Sequence, residues 1–371
     1  MSQRDLQRDK RRLVQAVRRF NARGSSPESR TAADLAQLLK QAANEGELVL
    51  VLGAGVSMAS GLPDWATLLQ RLLLQIDNAN REVAPGEATT LQRIFEDIFK
   101  PSPLVTARHL AHHFQERRKT GEIEFLRALR GALYTDYSSA SDSPLLEAIA
   151  GLAAAGRGVL SAIVTYNYDD LVERRLANHP KRPRFRSVAG RDISVPHDVL
   201  PIYHVHGFLP QHGRLTSRNH LVLSERYYHA RYSEPYDWSN LVQVTCFTQK
   251  RCLFIGTSLR DPNQRRLLDM ARGYRNDRGQ HPHVILRRRY DPKTLLSRVE
   301  EILKTGGESK GPSSKRTSVG GWTPALAVLR LARMMERFDE ADGRSFGVNT
   351  WWVDRHTDYA DGIRKLVPAR N

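Results

Sequence analysis

Leu48-Val49-Leu50-Val51-Leu52 is an unbroken apolar run bounded by Gly46 and Gly53. A short continuous run of this kind predicts a strand buried on both faces of a parallel sheet. Further strands are predicted at Leu160–Thr165, Ile202–Val205, Leu221–Leu223, Cys252–Gly256, Val284–Leu286 and Val348–Val353. Between them, apolar residues recur at helical spacing. Leu35, Leu38 and Leu39 predict a helix that Glu45-Gly46 ends, and Leu68, Leu69, Leu72, Leu73 and Ile76 predict a second. Residues 88–155 read as helical, without a convincing strand. Other helices are expected over Asp169–Ala177 and Leu241–Gln249, after Asp261-Pro262 (a favourable first turn), and over Pro292–Lys304, Ala325–Phe338 and Tyr359–Leu366. The Pro- and Arg-rich stretch 178–200 reads as a loop, and Gly306–Gly321, rich in Gly, Ser and Lys, as a mobile one.

Strands alternating with helices imply an α/β fold, a Rossmann-like parallel sheet with helices on both faces, plus a helical insert at 88–155. Residues 1–47 form a basic arm and helix, 48–304 the main domain, 305–321 a flexible loop, and 322–371 a helix–strand–helix that completes the domain. The 371 residues are enough to bury a sizeable core, and 40% hydrophobic with 26% charged residues excludes a disordered or fibrous chain. No apolar run reaches the roughly 18 residues of a membrane span, and Met1–Phe20 lacks the apolar stretch of a signal peptide. A cytoplasmic location without a membrane partner is therefore expected.

Charge and cysteine content narrow the chemistry. The two cysteines, Cys246 and Cys252, form no Cys-x-x-Cys pair. They cannot make a thiolate zinc site, and a disulfide framework is not expected. A net charge of +17, with basic clusters in the N-terminal arm and at Arg287, Arg288 and Arg289, favours an anionic partner. Nucleotide, DNA and an acidic protein surface all fit, and so does a merely solvated face.

Gly53-Ala54-Gly55-Val56-Ser57 follows the first strand and precedes a helical pattern, where glycines let backbone approach a pyrophosphate. A plain strand-to-helix turn would look the same. Thr165-Tyr166-Asn167-Tyr168-Asp169 ends another strand, where open α/β sheets place ligands, although Asn167 and Asp169 could simply cap the next helix. His204 and His206, two apart, would share one strand face. A metal pair there lacks a neighbouring Cys or carboxylate cluster, which leaves a structural histidine or an acid–base histidine. Phe254-Ile255-Gly256-Thr257-Ser258-Leu259 ends a further strand.

Together these segments resemble the sirtuin family in four motifs, in the family's order, over residues 53–263. In the first, Gly53, Ala54, Gly55, Ser57, Gly61, Pro63 and Asp64 match the cofactor loop, and Trp65 stands where an aromatic is usual. Ala66 departs from it, since an Arg is usual there. Thr-x-Asn-x-Asp, His206-Gly207 and Gly256-Thr257-Ser258 supply the other three, whereas Arg260-Asp261-Pro262-Asn263 looks like the prokaryotic defence-associated branch. The resemblance implies NAD as substrate, held by Gly53, Ala54, Gly55, Ser57, Pro63, Asp64, Trp65, Gly256, Thr257 and Ser258. It implies catalysis by Asn167, His206 and Asp169; protein-deacylating members usually carry a zinc ribbon of two cysteine pairs, which the two cysteines here cannot build, so no metal is expected. The activity implied is NAD glycohydrolysis in an antiphage effector that forms a homo-oligomer and works beside a hexameric DNA-translocating ATPase. An NAD-dependent deacylase or ADP-ribosyltransferase, and a silent nucleotide-sensing or DNA-binding scaffold, remain open at this point.

Overall fold

The computed structural model describes residues 30–77, 102–116, 121–138, 143–156, 158–216, 221–223, 228–229, 232–275, 282–291, 293–298 and 324–368. The basic arm before residue 30, the first part of the 88–155 stretch and the Gly306–Gly321 loop lie outside these residues.

Seven parallel strands form one sheet: β1 (Leu48–Leu52), β2 (Leu160–Thr165), β3 (Phe185–Val188), β4 (Leu200–His204), β5 (Arg251–Ile255), β6 (His283–Arg288) and β7 (Val348–Val353), in the order β3-β4-β2-β1-β5-β6-β7. All five residues of β1 are buried, which is why its sequence is apolar without alternation. Leu48, Leu50 and Leu52 face a core shared with α1 (Ala32–Asn44), α3 (Trp65–Asp77), α5 (Gly121–Tyr134), α6 (Pro144–Ala153) and α11 (Thr357–Arg364). Val49 and Val51 face a second core, with α8 (Trp238–Gln249) and α9 (Pro262–Tyr274). Helices thus cover both faces, as the alternation of elements predicts.

The register matters more for function than the helices do. Leu52 pairs with Thr165 on one side and Ile255 on the other, and Thr165 pairs with His204. Four strands therefore end level, and the residues after each emerge along one edge. The chain leaves β1 toward β2 on one side, while β5 adds on the other, so the order reverses at β1. A sheet of this kind binds ligands in the crevice at that reversal, outside the carboxyl ends of the strands.

Three sequence expectations need correction. The stretch 178–200 contains β3, a four-residue edge strand whose Arg186 is exposed and which, among the described residues, pairs with β4 alone. A short polar edge strand carries no buried apolar run to reveal it. Leu221–Leu223 is buried but is not a strand. Its backbone is held instead by Val222 N–H donating to the His206 carbonyl at 2.8 Å and by the Tyr168 hydroxyl donating to the Val222 carbonyl at 2.7 Å. β4 stops at His204, so Val205 lies in the turn beyond it.

Within the insert, α4 (Pro103–Glu116), α5 and α6 are helical, as expected. α3 packs on α4 and α5, whereas α6 packs on α11 and on α7 (Leu171–Ala177). α10 (Pro324–Ser345) precedes β7 and anchors the arginine cluster: Arg287 meets Asp339 at 2.8 Å and Arg289 meets Glu336 at 2.9 Å. Two of those three arginines are thus engaged within the fold. Among the described residues, no helix is long and apolar enough to cross a membrane.

Candidate active site

The loops after β1 and β5 touch backbone to backbone. Gly53 N–H donates to the Ile255 carbonyl at 2.9 Å and Gly55 N–H to the Gly256 carbonyl at 2.8 Å. A Cβ on Gly53 would sit 2.7 Å from the Gly256 oxygen, and one on Gly256 would sit 2.5 Å from the Val56 nitrogen. Gly256 also holds φ at +67°, a conformation that side chains disfavour. The glycines of the first and last motifs are therefore needed to let two loops meet at the crevice. Immediately after it comes α2 (Ala54–Met58), which carries Ser57 inward while Ala54 stays exposed. Asp64 caps α3, its Oδ1 accepting the Thr67 N–H at 2.8 Å. Trp65 lies against Tyr168, ring centroids 6.3 Å apart, which ties the first motif to the second. Ala66, where the family pattern has Arg, is exposed.

Ser57, Asn167 and Asp169 come together across the ends of β1 and β2. The Asn167 amide donates to the Gly53 carbonyl at 3.0 Å and to Ser57 Oγ at 2.8 Å, and Ser57 Oγ donates to Asp169 Oδ2 at 2.6 Å. Asp169 Oδ1 also accepts the Leu171 N–H at 3.2 Å, at the first residue of α7, whose N-cap position is Asp170. Burial pushes the Asp169 carboxyl up, the bonds from Ser57 and Leu171 partly offset it, and its pKa lies at about 6. Tyr134 of α5 fastens the same segment, its hydroxyl meeting Asp170 Oδ1 at 3.1 Å and the Leu209 carbonyl at 3.0 Å.

The two histidines part company. His204, 0% exposed, ends β4; its Nε2 donates to Glu173 Oε1 at 2.6 Å and its Nδ1 to the Asn167 carbonyl at 3.3 Å. Burial alone would lower its pKa, but the Glu173 charge and hydrogen bond outweigh burial and leave it raised. It is a buried ion pair that supports the backbone of Asn167. His206 lies past the strand end in the turn, so the shared strand face expected from the spacing does not exist. Its side chain keeps 12% of its surface exposed. The ring stands edge-on to Tyr166, centroids 4.7 Å apart, and Nε2 lies 3.6 Å from Asp261 Oδ2.

In the last motif, Thr257 Oγ1 accepts the Leu259 N–H at 3.3 Å, and Ser258 is exposed with its carbonyl accepting from Arg287 at 3.1 Å. The residues that sequence reasoning passed over are Glu173, Asp261, Tyr166 and Tyr228. Asp261 was visible only as the cap of α9, and its one other signal was the departure of Arg260-Asp261-Pro262-Asn263 from the deacetylase pattern.

A SIR2-like domain model matches residues 161–304. The fold is sirtuin-like. The matched segment covers less than half of the chain but runs from β2 through β6, and it contains Asn167, Asp169, His206 and Gly256-Thr257-Ser258. A SIR2-like domain implies a function that involves NAD, and the glycine junction lies where a nucleotide would enter the sheet edge. No curated protein matches the chain.

Proposed function

We propose that this protein hydrolyses NAD to nicotinamide and ADP-ribose. The observation that carries the reading is the hydrogen-bonded chain from the Gly53 carbonyl through Asn167 and Ser57 to Asp169, which joins two loops at the crevice. Asn167 orients the attacking water through its Oδ1, which accepts from the water while both amide hydrogens stay on Gly53 and Ser57. His206 takes the proton of that water, and Asp169, ionised above about pH 6, faces the ribose side where positive charge develops. Atoms balance simply. The electron pair of the glycosidic C–N bond stays on the nicotinamide nitrogen, which leaves neutral, and the water oxygen bonds to the ribose carbon. Ser57, Pro63, Asp64, Trp65, Thr257 and Ser258 lie on the loops that would hold the cofactor halves. Favouring hydrolysis over deacylation, the chain has only two cysteines, both buried in the core, whereas protein-deacylating sirtuins carry a ribbon of two cysteine pairs.

Chromatography of NAD incubated with the purified protein tests this. Nicotinamide and ADP-ribose should accumulate without any acylated peptide. Product formation only when such a peptide or a protein acceptor is supplied would assign the deacylase or transferase reaction instead.

The biological reading extends from the family resemblance: NAD depletion as antiphage defence, gated because unrestrained hydrolysis would harm the host. Gating would come from self-association, with residues 88–155 as the subunit contact, and from a hexameric DNA-translocating ATPase. DNA contact through the basic surface is a further partner of the same reading. Light scattering of the purified protein should show an oligomer; a monomer that hydrolyses NAD at full rate alone would overturn the gating.

A further inference from the structure

We infer that Asp261, assisted by Tyr228, is the positioning residue that fixes the tautomer and orientation of His206. The inference rests on the hydrolytic reading for its kinetic consequence, though not for its geometry.

Asp261 sits at the N-cap of α9, where its Oδ1 accepts the Gln264 N–H at 2.7 Å. That role uses one oxygen. The other, Oδ2, points elsewhere: it accepts the Tyr228 hydroxyl at 2.5 Å and lies 3.6 Å from His206 Nε2. Tyr228 in turn stands edge-on to the His206 ring, centroids 6.0 Å apart, so the imidazole is held between Tyr166 on one side and the Tyr228–Asp261 pair on another. His206 follows β4 and Asp261 follows β5, two strands that β2 and β1 separate. Their approach is made across the mouth of the crevice, by loops, and a cap has no need of it.

Among the described residues, the titratable groups around His206 include Asp261, Tyr166, Tyr168, Tyr228 and Tyr232, with Arg266 stacked over Tyr232 at 5.3 Å. Burial first, and then the Asp261 charge, push the Tyr166, Tyr168 and Tyr228 hydroxyls upward, so these phenols stay neutral. The imidazole is the group among them that can take up a proton beside the Asp261 carboxylate. A carboxylate facing Nε2 selects the tautomer with the proton on Nε2 and leaves the lone pair on Nδ1, and it stabilises the imidazolium formed when Nδ1 accepts a proton. The histidine–carboxylate arrangement of hydrolytic triads works on the same principle. A separation of 3.6 Å is long for a hydrogen bond, and such contacts commonly tighten when substrate binds.

Asp261→Asn separates this role from capping, because Asn caps a helix as well as Asp does. The amide would present an N–H to Nε2, forcing the proton onto Nδ1. Histidine-selective 15N spectra of the ligand-free protein, with His206→Gln to assign the signal, should show Nε2 protonated in the wild type and Nδ1 protonated in Asp261→Asn. The imidazole pKa should fall in the variant, and thermal unfolding should stay near that of the wild type. NAD turnover should drop on the order of 10²- to 10⁴-fold in kcat, with little change in KM. Tyr228→Phe, which leaves the cap untouched, should shift the same signals by less. The same tautomer and titration in wild type and Asp261→Asn, with kcat retained, would overturn the inference. A tautomer switch in a protein that leaves NAD intact would uphold the His206–Asp261 geometry and overturn the hydrolytic reading instead.

Discussion

Two polar clusters share the carboxyl edge of this sheet, and they are built in opposite ways. Ser57, Asn167 and Asp169 form an internal network in which each side chain is bonded at 3.0 Å or less, held by residues directly after adjacent strands β1 and β2. His206, Asp261 and Tyr228 come from the turn after β4, the N-cap of α9 and the segment between, and meet through one short hydrogen bond, one 3.6 Å approach and ring edges. The first is preorganised in the absence of any ligand, at the cost of a buried carboxyl near pKa 6. The second keeps part of its surface exposed and has room to tighten. A site that must order water and ribose, yet move one proton, is served by this division: fixed dipoles need rigidity, whereas a proton carrier needs access.

Mutations can break that comparison, and the largest expected effect is on turnover. Asn167→Ala and His206→Ala should each lower NAD hydrolysis about 10²- to 10⁴-fold. They should differ in stability. Asn167→Ala removes two part-buried hydrogen bonds, costing about 1–3 kcal/mol, although the Gly53 carbonyl keeps the Val56 N–H and Ser57 Oγ keeps Asp169, whereas His206→Ala should cost less. Equal stability loss in urea titrations of the two variants would erase the distinction between a rigid and a loose cluster.

Next in size is His204→Ala. Removing the imidazole leaves Glu173 as a buried, uncompensated charge, a loss of about 3–5 kcal/mol in unfolding experiments. His204 is therefore a support beneath Asn167. A mild effect at His204 would place the Glu173 pair outside the structural framework.

The smallest effect is the most diagnostic for Asp169. Its folded carboxyl titrates at about 6 against an ordinary 3.8, so the folded state holds the extra proton between these values. The stability this contributes is present below about pH 4 and is lost as pH rises through 6. Asp169→Asn has no such loss. Unfolding free energies should therefore shift in favour of the variant from pH 4 to pH 7, by about 1–3 kcal/mol. A difference that does not change with pH would mean that Asp169 ionises normally.

The sequence by itself determined the alternation of elements, the burial of β1 and the place of the two glycine motifs and of Asn167 at strand ends, because hydrophobic period and glycine position are local properties. Leu48–Leu52 needed nothing beyond its own composition to be read as a central strand. Gly53, Gly55 and Gly256 were legible as loop glycines, but their mutual contact was not, since it depends on β1 and β5 lying side by side. The same limit applies to the histidines. Their spacing of two placed both on one strand face, yet β4 ends between them, and tertiary packing sent His204 to Glu173 and His206 toward Asp261. Strand β3 leaves no apolar signature because a short edge strand buries little, and Leu221–Leu223 carries the signature of a strand because burial without pairing demands the same apolar residues. Which side chains face each other across 31 to 112 residues of chain is settled by strand order and register, as with His204 and Glu173 at one end of that range and Ser57 and Asp169 at the other. Non-local pairings of this kind form only when the whole sheet does.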